Sequence, residues 1–316
     1  MSVKTQPIAH PEYGKCILME NGAVELMATL DYGPRIIHFA LAGGKNMLLF
    51  DKDHLLTGSG EDFDKAYYPG AKFYLRGGHR LWRSPEHDPE TSYPDNDPVE
   101  YTVDGSTVTL HCAKQIHNNV QYRFEIAMDA TAPNVSIAHY ITNVSDTAMI
   151  FAPWTITVMD QGGVEIVPMN TTSTGLLQNR TISVWPYTNL ACKRGTFMER
   201  YFLLRQNPDI QRAYKLGFDN EAGWAGYVNH GALFVKHYTH VPGGSYPDNG
   251  CSYETYTNNV ILEMETIGQL LKYAPGQTAE HTEHWSLKPI ADAPDFADEQ
   301  SVASFVAEYV GYPNRT

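Results

Sequence analysis

The sequence predicts an all-β protein, a large antiparallel two-sheet β-sandwich with a few short helices, one of them near the C-terminus. Three observations predict it. Short apolar or alternating segments recur along most of the chain, each bounded by turn residues. Helical periodicity between them is scarce, which argues against βαβ units. Two hairpin signals are explicit: Asp104-Gly105, and Asn229-His230-Gly231.

The elements follow in order. Residues 23–30 and 35–41 flank the turn Asp31-Tyr32-Gly33-Pro34, and residues 99–103 and 106–111 flank Asp104-Gly105. Residues 120–128, 134–142 and 148–159 read as three further strands, with Pro153 implying an edge or a bulge because it lacks an N–H for the ladder. Residues 224–228, 232–238, 259–265 and 279–287 complete the set. Val302, Phe305, Val306, Tyr309 and Val310 repeat at helical spacing, with Asp295 or Asp298 placed to cap the start. A second short helix is expected over 196–205. Residues 84–98 and 241–251 read as loops, and both contain Tyr-Pro-Asp-Asn. No linker interrupts the pattern, so one domain is expected over 1–316, with its core at about 15–288 and its terminal helix at about 298–310.

Composition narrows the function. The chain has 316 residues, 42% of them hydrophobic, 12% aromatic and 19% charged, which is too aromatic for a disordered protein. A net charge of −13 argues against nucleic acid and anionic membranes as partners. No apolar run is long enough to span a bilayer. Cys16, Cys112, Cys192 and Cys251 form no CxxC, and residues 1–11 lack the apolar core of a secretory signal, so a cytoplasmic protein with free thiols is expected. Phosphate-loop, dinucleotide and serine-hydrolase signatures do not occur, and no cofactor is expected.

The densest chemical cluster is Arg-Gly-Gly-His-Arg-Leu-Trp-Arg at 76–83. Gly77 and Gly78 permit close backbone approach, Arg76 and Arg80 offer planar forks for an anion, and Trp82 offers a stacking plate. The bland alternative is a strand edge paired with the acidic loop at 86–97. Glu263 and Glu265 fall on one face of a strand, and Glu254 lies just upstream. On a cleft-facing strand such a carboxylate could serve as general base; on an outer face it is a polar stripe. Trp154 is a core residue or a cleft wall, and Asp248 and Glu254 belong to a surface turn or a cleft rim. The segment Glu-His-Thr-Glu-His-Trp at 280–285 gathers no three metal ligands on one face, so no metal is expected.

Taken in order, Asp31–Ile36 (DYGPRI), Gly77–Trp82 (GGHRLW), residues 134–158 and residues 262–287 resemble the galactose mutarotase-like, or aldose epimerase-like, superfamily. The resemblance implies a supersandwich fold and a cofactor-independent acid/base ring opening of a sugar. It places Glu265 at the family's catalytic base. Pro153-Trp154-Thr155 stand where galactose mutarotases carry their acid histidine, and the acid is then expected at His79. Arg76, Arg80, Trp82, Trp154 and Glu254 would bind the substrate. The expected ligand is a small carbohydrate, with acidic or phosphorylated sugars favoured by the arginines. Two other uses of the same fold stay open: a non-catalytic carbohydrate-binding or sensor domain, and a glycosidase or lyase.

Overall fold

The computed structural model describes residues 2–311; the ends of the expected 1–316 span lie outside them. Two large sheets, antiparallel throughout, stack face to face. The first runs Lys4–His10, Gly14–Glu20, Val24–Thr29, Ile36–Leu41, Gly78–Ser84, Met149–Met159, Leu262–Ile267, Tyr253–Thr257, Tyr214–Phe218, Ile182–Val184. The second runs Gly195–Phe197, Tyr201–Arg205, Val164–Pro168, Trp224–Asn229, Ala232–Tyr238, Thr278–Pro289, Asn134–Asn143, Val120–Met128, Thr107–Gln115, Glu100–Asp104. Among the described residues no helix is long and apolar enough to cross a membrane.

The main core lies between the sheets, where Phe39, Phe124, Phe234, Leu262 and Trp285 meet from both sides. A second apolar layer covers the far face of the second sheet. There the helix Glu299–Tyr309 sets Val302, Phe305 and Val306 against Val164, Leu203 and Val235. Asp298 caps this helix, its carboxylate accepting the N–H groups of Gln300 and Ser301.

Two expectations need correction. Residues 196–205 are not a helix but the strands Gly195–Phe197 and Tyr201–Arg205, joined by a tight turn. Tyr201 to Leu204 are buried because the sheet core covers one face and the C-terminal helix layer the other. Double-sided burial removes the alternation that marks a strand. The strand expected at 259–265 is Leu262–Ile267, and it pairs with a strand that was not expected, Tyr253–Thr257. Pro153 sits in a central strand, but at a break in its ladder: Met149–Phe151 pair with Leu271–Tyr273, and Trp154–Met159 pair with Leu262–Ile267. The missing N–H thus falls between two partner strands.

The space between the sheets also holds polar groups. Glu283 is fully buried and accepts from the hydroxyls of Thr155 and Thr266 at 2.6 Å each, from Lys236 Nζ at 2.9 Å and from Trp285 Nε1 at 2.7 Å. Glu165 accepts the hydroxyls of Tyr253 and Thr255, both at 2.5 Å. Burial pushes the Glu165 carboxyl from 4.5 up to about 8, against these two hydroxyls.

The fold therefore holds a proton on Glu165 that the unfolded chain has lost, so this residue's contribution to stability falls as pH rises from 4.5 to about 8. Gln mimics the protonated carboxyl. Urea unfolding of Glu165→Gln is expected to show a variant that gains on wild type across that window, by up to about 1.4 kcal/mol per pH unit. A stability difference that does not change with pH would show the carboxyl to be ionised in the fold.

Candidate active site

Strand alternation gives the first sheet an inner and an outer face. On the outer face the register aligns one row of side chains across the middle of the sheet. Arg80 is beside Ile156, Ile156 beside Glu265, Glu265 beside Glu254, and Glu254 beside Gly217. Arg35, just before the strand that starts at Ile36, continues the row next to Arg80. Trp82 and Trp154 form the next pair, with ring centroids 5.5 Å apart.

Lys215 organises the acidic half. Its ammonium is 2.8 Å from Glu254 Oε2 and 3.0 Å from Glu265 Oε2, and 4.8 Å from the ring centres of both Trp154 and Trp185. Trp154 Nε1 donates to the same Glu265 oxygen at 2.8 Å. The other oxygens, Oε1 of Glu254 and Oε1 of Glu265, have no partner among the described residues. Burial raises the Glu265 carboxyl, opposed first by Lys215, and raises Glu254 further. Burial also works against the Lys215 ammonium, but the two carboxylates overcome it and hold the proton above the ordinary lysine range.

The basic half is built around Arg80. Its Nη2 donates to Glu263 Oε1 at 2.9 Å, and its guanidinium lies 4.1 Å from the Trp82 ring centre. Among the described residues Nε and Nη1 of Arg80 have no hydrogen-bond partner, nor do Nε and Nη2 of the buried Arg35, which pairs with Asp95. Arg76 stands at the edge, its Nη2 donating to Asn96 at 2.9 Å and its guanidinium 3.8 Å from the Tyr32 ring centre. The positive charges of Arg80 and Arg76 reach Arg35, which is why all three count as one cationic region.

A roof closes over this face. Phe63, Tyr67 and Phe73, from residues 57–74, pack beside Trp82 and Tyr256, while Trp185 and Tyr187 reach Lys215 and Tyr256 from the other side. Glu265 is 0% and Glu254 1% exposed beneath this roof.

The structure thus brings Glu265, Glu254, Arg80, Trp82 and Trp154 to one face, with Arg76 at its margin. His79 is the correction. It precedes Arg80 on the same strand, so it points the opposite way, into the space between the sheets. There it is fully buried, with Nδ1 2.8 Å from Thr157 Oγ1 and Nε2 2.7 Å from His139 Nε2. Burial holds it neutral, well below the ordinary histidine range. It is not within reach of a ligand on the outer face.

His79, His139 and Glu283 bring ligand-type atoms within 4.8 Å of one another. Their donor capacity is already spent: Glu283 binds four donors, Lys236 among them, and His139 Nδ1 is 2.9 Å from the His281 carbonyl oxygen. A cation there would have to displace a buried ammonium, so the cluster fits a structural network better than a metal centre.

Sequence reasoning missed Lys215, Arg35 and Trp185. The one local signal for Lys215 is a cation within the short segment Tyr-Lys-Leu-Gly-Phe at 214–218.

No family profile and no curated protein matches the chain at the level of sequence. Solved structures do match, and they define the class: the fold is that of galactose mutarotase-like proteins. A galactose mutarotase-like protein from Lactobacillus casei is 11% identical with a TM-score of 0.56, over 86% of this chain and 99% of that one. One from Clostridium acetobutylicum is 8% identical with a TM-score of 0.51, over 92% and 99%. A TPR-domain containing protein from Parabacteroides distasonis gives 0.60 at 14% identity over 90% of this chain, which spans only 50% of that protein's length.

Removing the shared ammonium should expose its role. Lys215→Met leaves two buried carboxylates without their cation and is expected to cost about 3–5 kcal/mol at pH 8. The cost should shrink at pH 5, where the carboxyls can take protons instead. Chemical denaturation at both pH values measures this.

Proposed function

We propose that the chain is a cofactor-independent, mutarotase-like acid/base catalyst acting on a monosaccharide, with the outer face of the first sheet as its site and the whole chain as one working unit. The observation that carries the reading is the Glu254–Lys215–Glu265 group, in which each carboxyl keeps one oxygen unpartnered beside aromatic walls. Mutarotation needs one group to take the anomeric hydroxyl proton and another to protonate the ring oxygen. Both sugar oxygens are bonded to the anomeric carbon, so two neighbouring carboxyls can serve them together. Glu265, the less strongly raised of the two, is the base through Oε1. Glu254, which burial raises further toward its protonated form, is the acid through its own Oε1, in the role that His79 is not placed to fill. Proton transfer opens the ring, the carbonyl rotates, and reversal of the two transfers closes it on the other face. Trp82 and Trp154 supply stacking planes for the sugar's C–H face. The unpartnered nitrogens of Arg80 and Arg35, with Arg76 at the margin, favour a substrate with a carboxylate or phosphate.

Exchange NMR of anomers on aldoses, hexuronates and sugar phosphates tests this. Wild type is expected to accelerate exchange of at least one anionic sugar. Glu265→Gln and Glu254→Gln should each slow it by roughly 10²–10⁴-fold, the usual worth of a positioned acid or base. No acceleration on any sugar would sink the catalytic reading.

The ammonium that already neutralises Glu265 and Glu254 favours a second reading, a carbohydrate-binding domain without turnover. It expects saturable sugar binding that Trp82→Ala abolishes and Glu265→Gln leaves nearly intact.

A further inference from the structure

The outer face of the second sheet carries a feature the cleft does not use. His237, on Ala232–Tyr238, and His284, on Thr278–Pro289, are direct partners in the antiparallel register. Their chain neighbours Lys236 and Glu283 are fully buried between the sheets, so both imidazoles project outward on the same face. Directly opposed residues have Cβ atoms about 4.5–5.5 Å apart, close enough for two imidazoles to share one cation. Neither ring has a hydrogen-bond or ion-pair partner among the described residues. His237 is half-buried and His284 exposed, and both line an open groove of about 640 Å³.

The surroundings suit a cation. Asp129 lines the same groove, and the N–H groups of Ala132 and Thr131 bonded to its carboxylate hold it below the ordinary range, and so ionised. The one neighbouring lysine, Lys288, has its ammonium turned to the Tyr309 carbonyl oxygen at 2.6 Å. The chain as a whole carries −13, a field that draws cations to it.

We propose that His237 and His284 form a two-nitrogen chelating site for a borderline divalent transition cation, with water completing its coordination. Imidazole pairs suit Cu²⁺, Ni²⁺ and Zn²⁺, in affinity order set by the metal, and do not suit Mg²⁺, which demands oxygen donors. The site lies on the opposite side of the sandwich from the cleft and does not depend on its function.

Isothermal titration of the chelator-treated full chain with CuCl₂, NiCl₂, ZnCl₂ and MgCl₂ tests the proposal. The first three are expected to bind saturably with one site per chain, with Cu²⁺ tightest, and Mg²⁺ not at all. His237→Gln and His284→Gln should each weaken binding at least as much as the roughly 10–100-fold that loss of a mere supporting partner costs a metal site. Both positions are on the surface, so thermal melts of the variants should match wild type without metal. The Cu²⁺ complex should show two nitrogen couplings by electron paramagnetic resonance, reduced in each variant. Saturable binding that survives the double substitution, a loss confined to one of the two histidines, or no saturable binding by any of the three cations would overturn it.

Discussion

Glu283 is where the two sheets are joined by charge. Its carboxylate belongs to the second sheet, yet two of its four donors, Thr155 and Thr266, come from central strands of the first, and Lys236 stands beside it. Apolar packing between sheets tolerates small slides, because dispersion is non-directional. A fully buried carboxylate does not: if one sheet slipped, the charge would lose donors at a cost of about 3–5 kcal/mol. The interaction also sets parity. With Thr155 and Thr266 turned inward, Trp154 and Glu265 must turn outward. Everything on the outer face inherits its position from this contact.

On that face a second buried charge group follows the same logic in reverse. Glu283 is saturated, whereas Glu254 and Glu265 each keep an oxygen free. The first is a fastener. The second keeps unspent hydrogen-bonding capacity, which the proposed proton transfers would use. Lys215 makes this tolerable by balancing two carboxylates with one ammonium in a region shielded from solvent.

Much of this was legible in the chain. Glu263 and Glu265 share a face by period alone, and Trp82 and Arg80 share one for the same reason. That period also places His79 opposite Arg80; a motif read as a unit, GGHRLW, hid the alternation within it. Lys215 was not legible, because its meaning comes from a strand pairing between residues 214–218 and 253–257, and no local pattern encodes which strands become neighbours. Residues 201–204 misled for a different reason. Burial on both faces came from a helix nearly a hundred residues downstream, so the local segment looked like a uniformly apolar run.

The row that crosses the first sheet begins with two guanidiniums and ends with two carboxyls, with Ile156 between them. Each charge along it has a partner: Arg35 pairs with Asp95, Arg80 with Glu263, and Lys215 stands between Glu265 and Glu254. The row therefore carries little long-range field of its own, and its two ends differ at short range, by unpartnered N–H donors on the arginines and unpartnered oxygens on the glutamates. A hydrogen bond acts only at contact distance, so this contrast is felt only by a group already seated on the sheet, and added salt would alter it little.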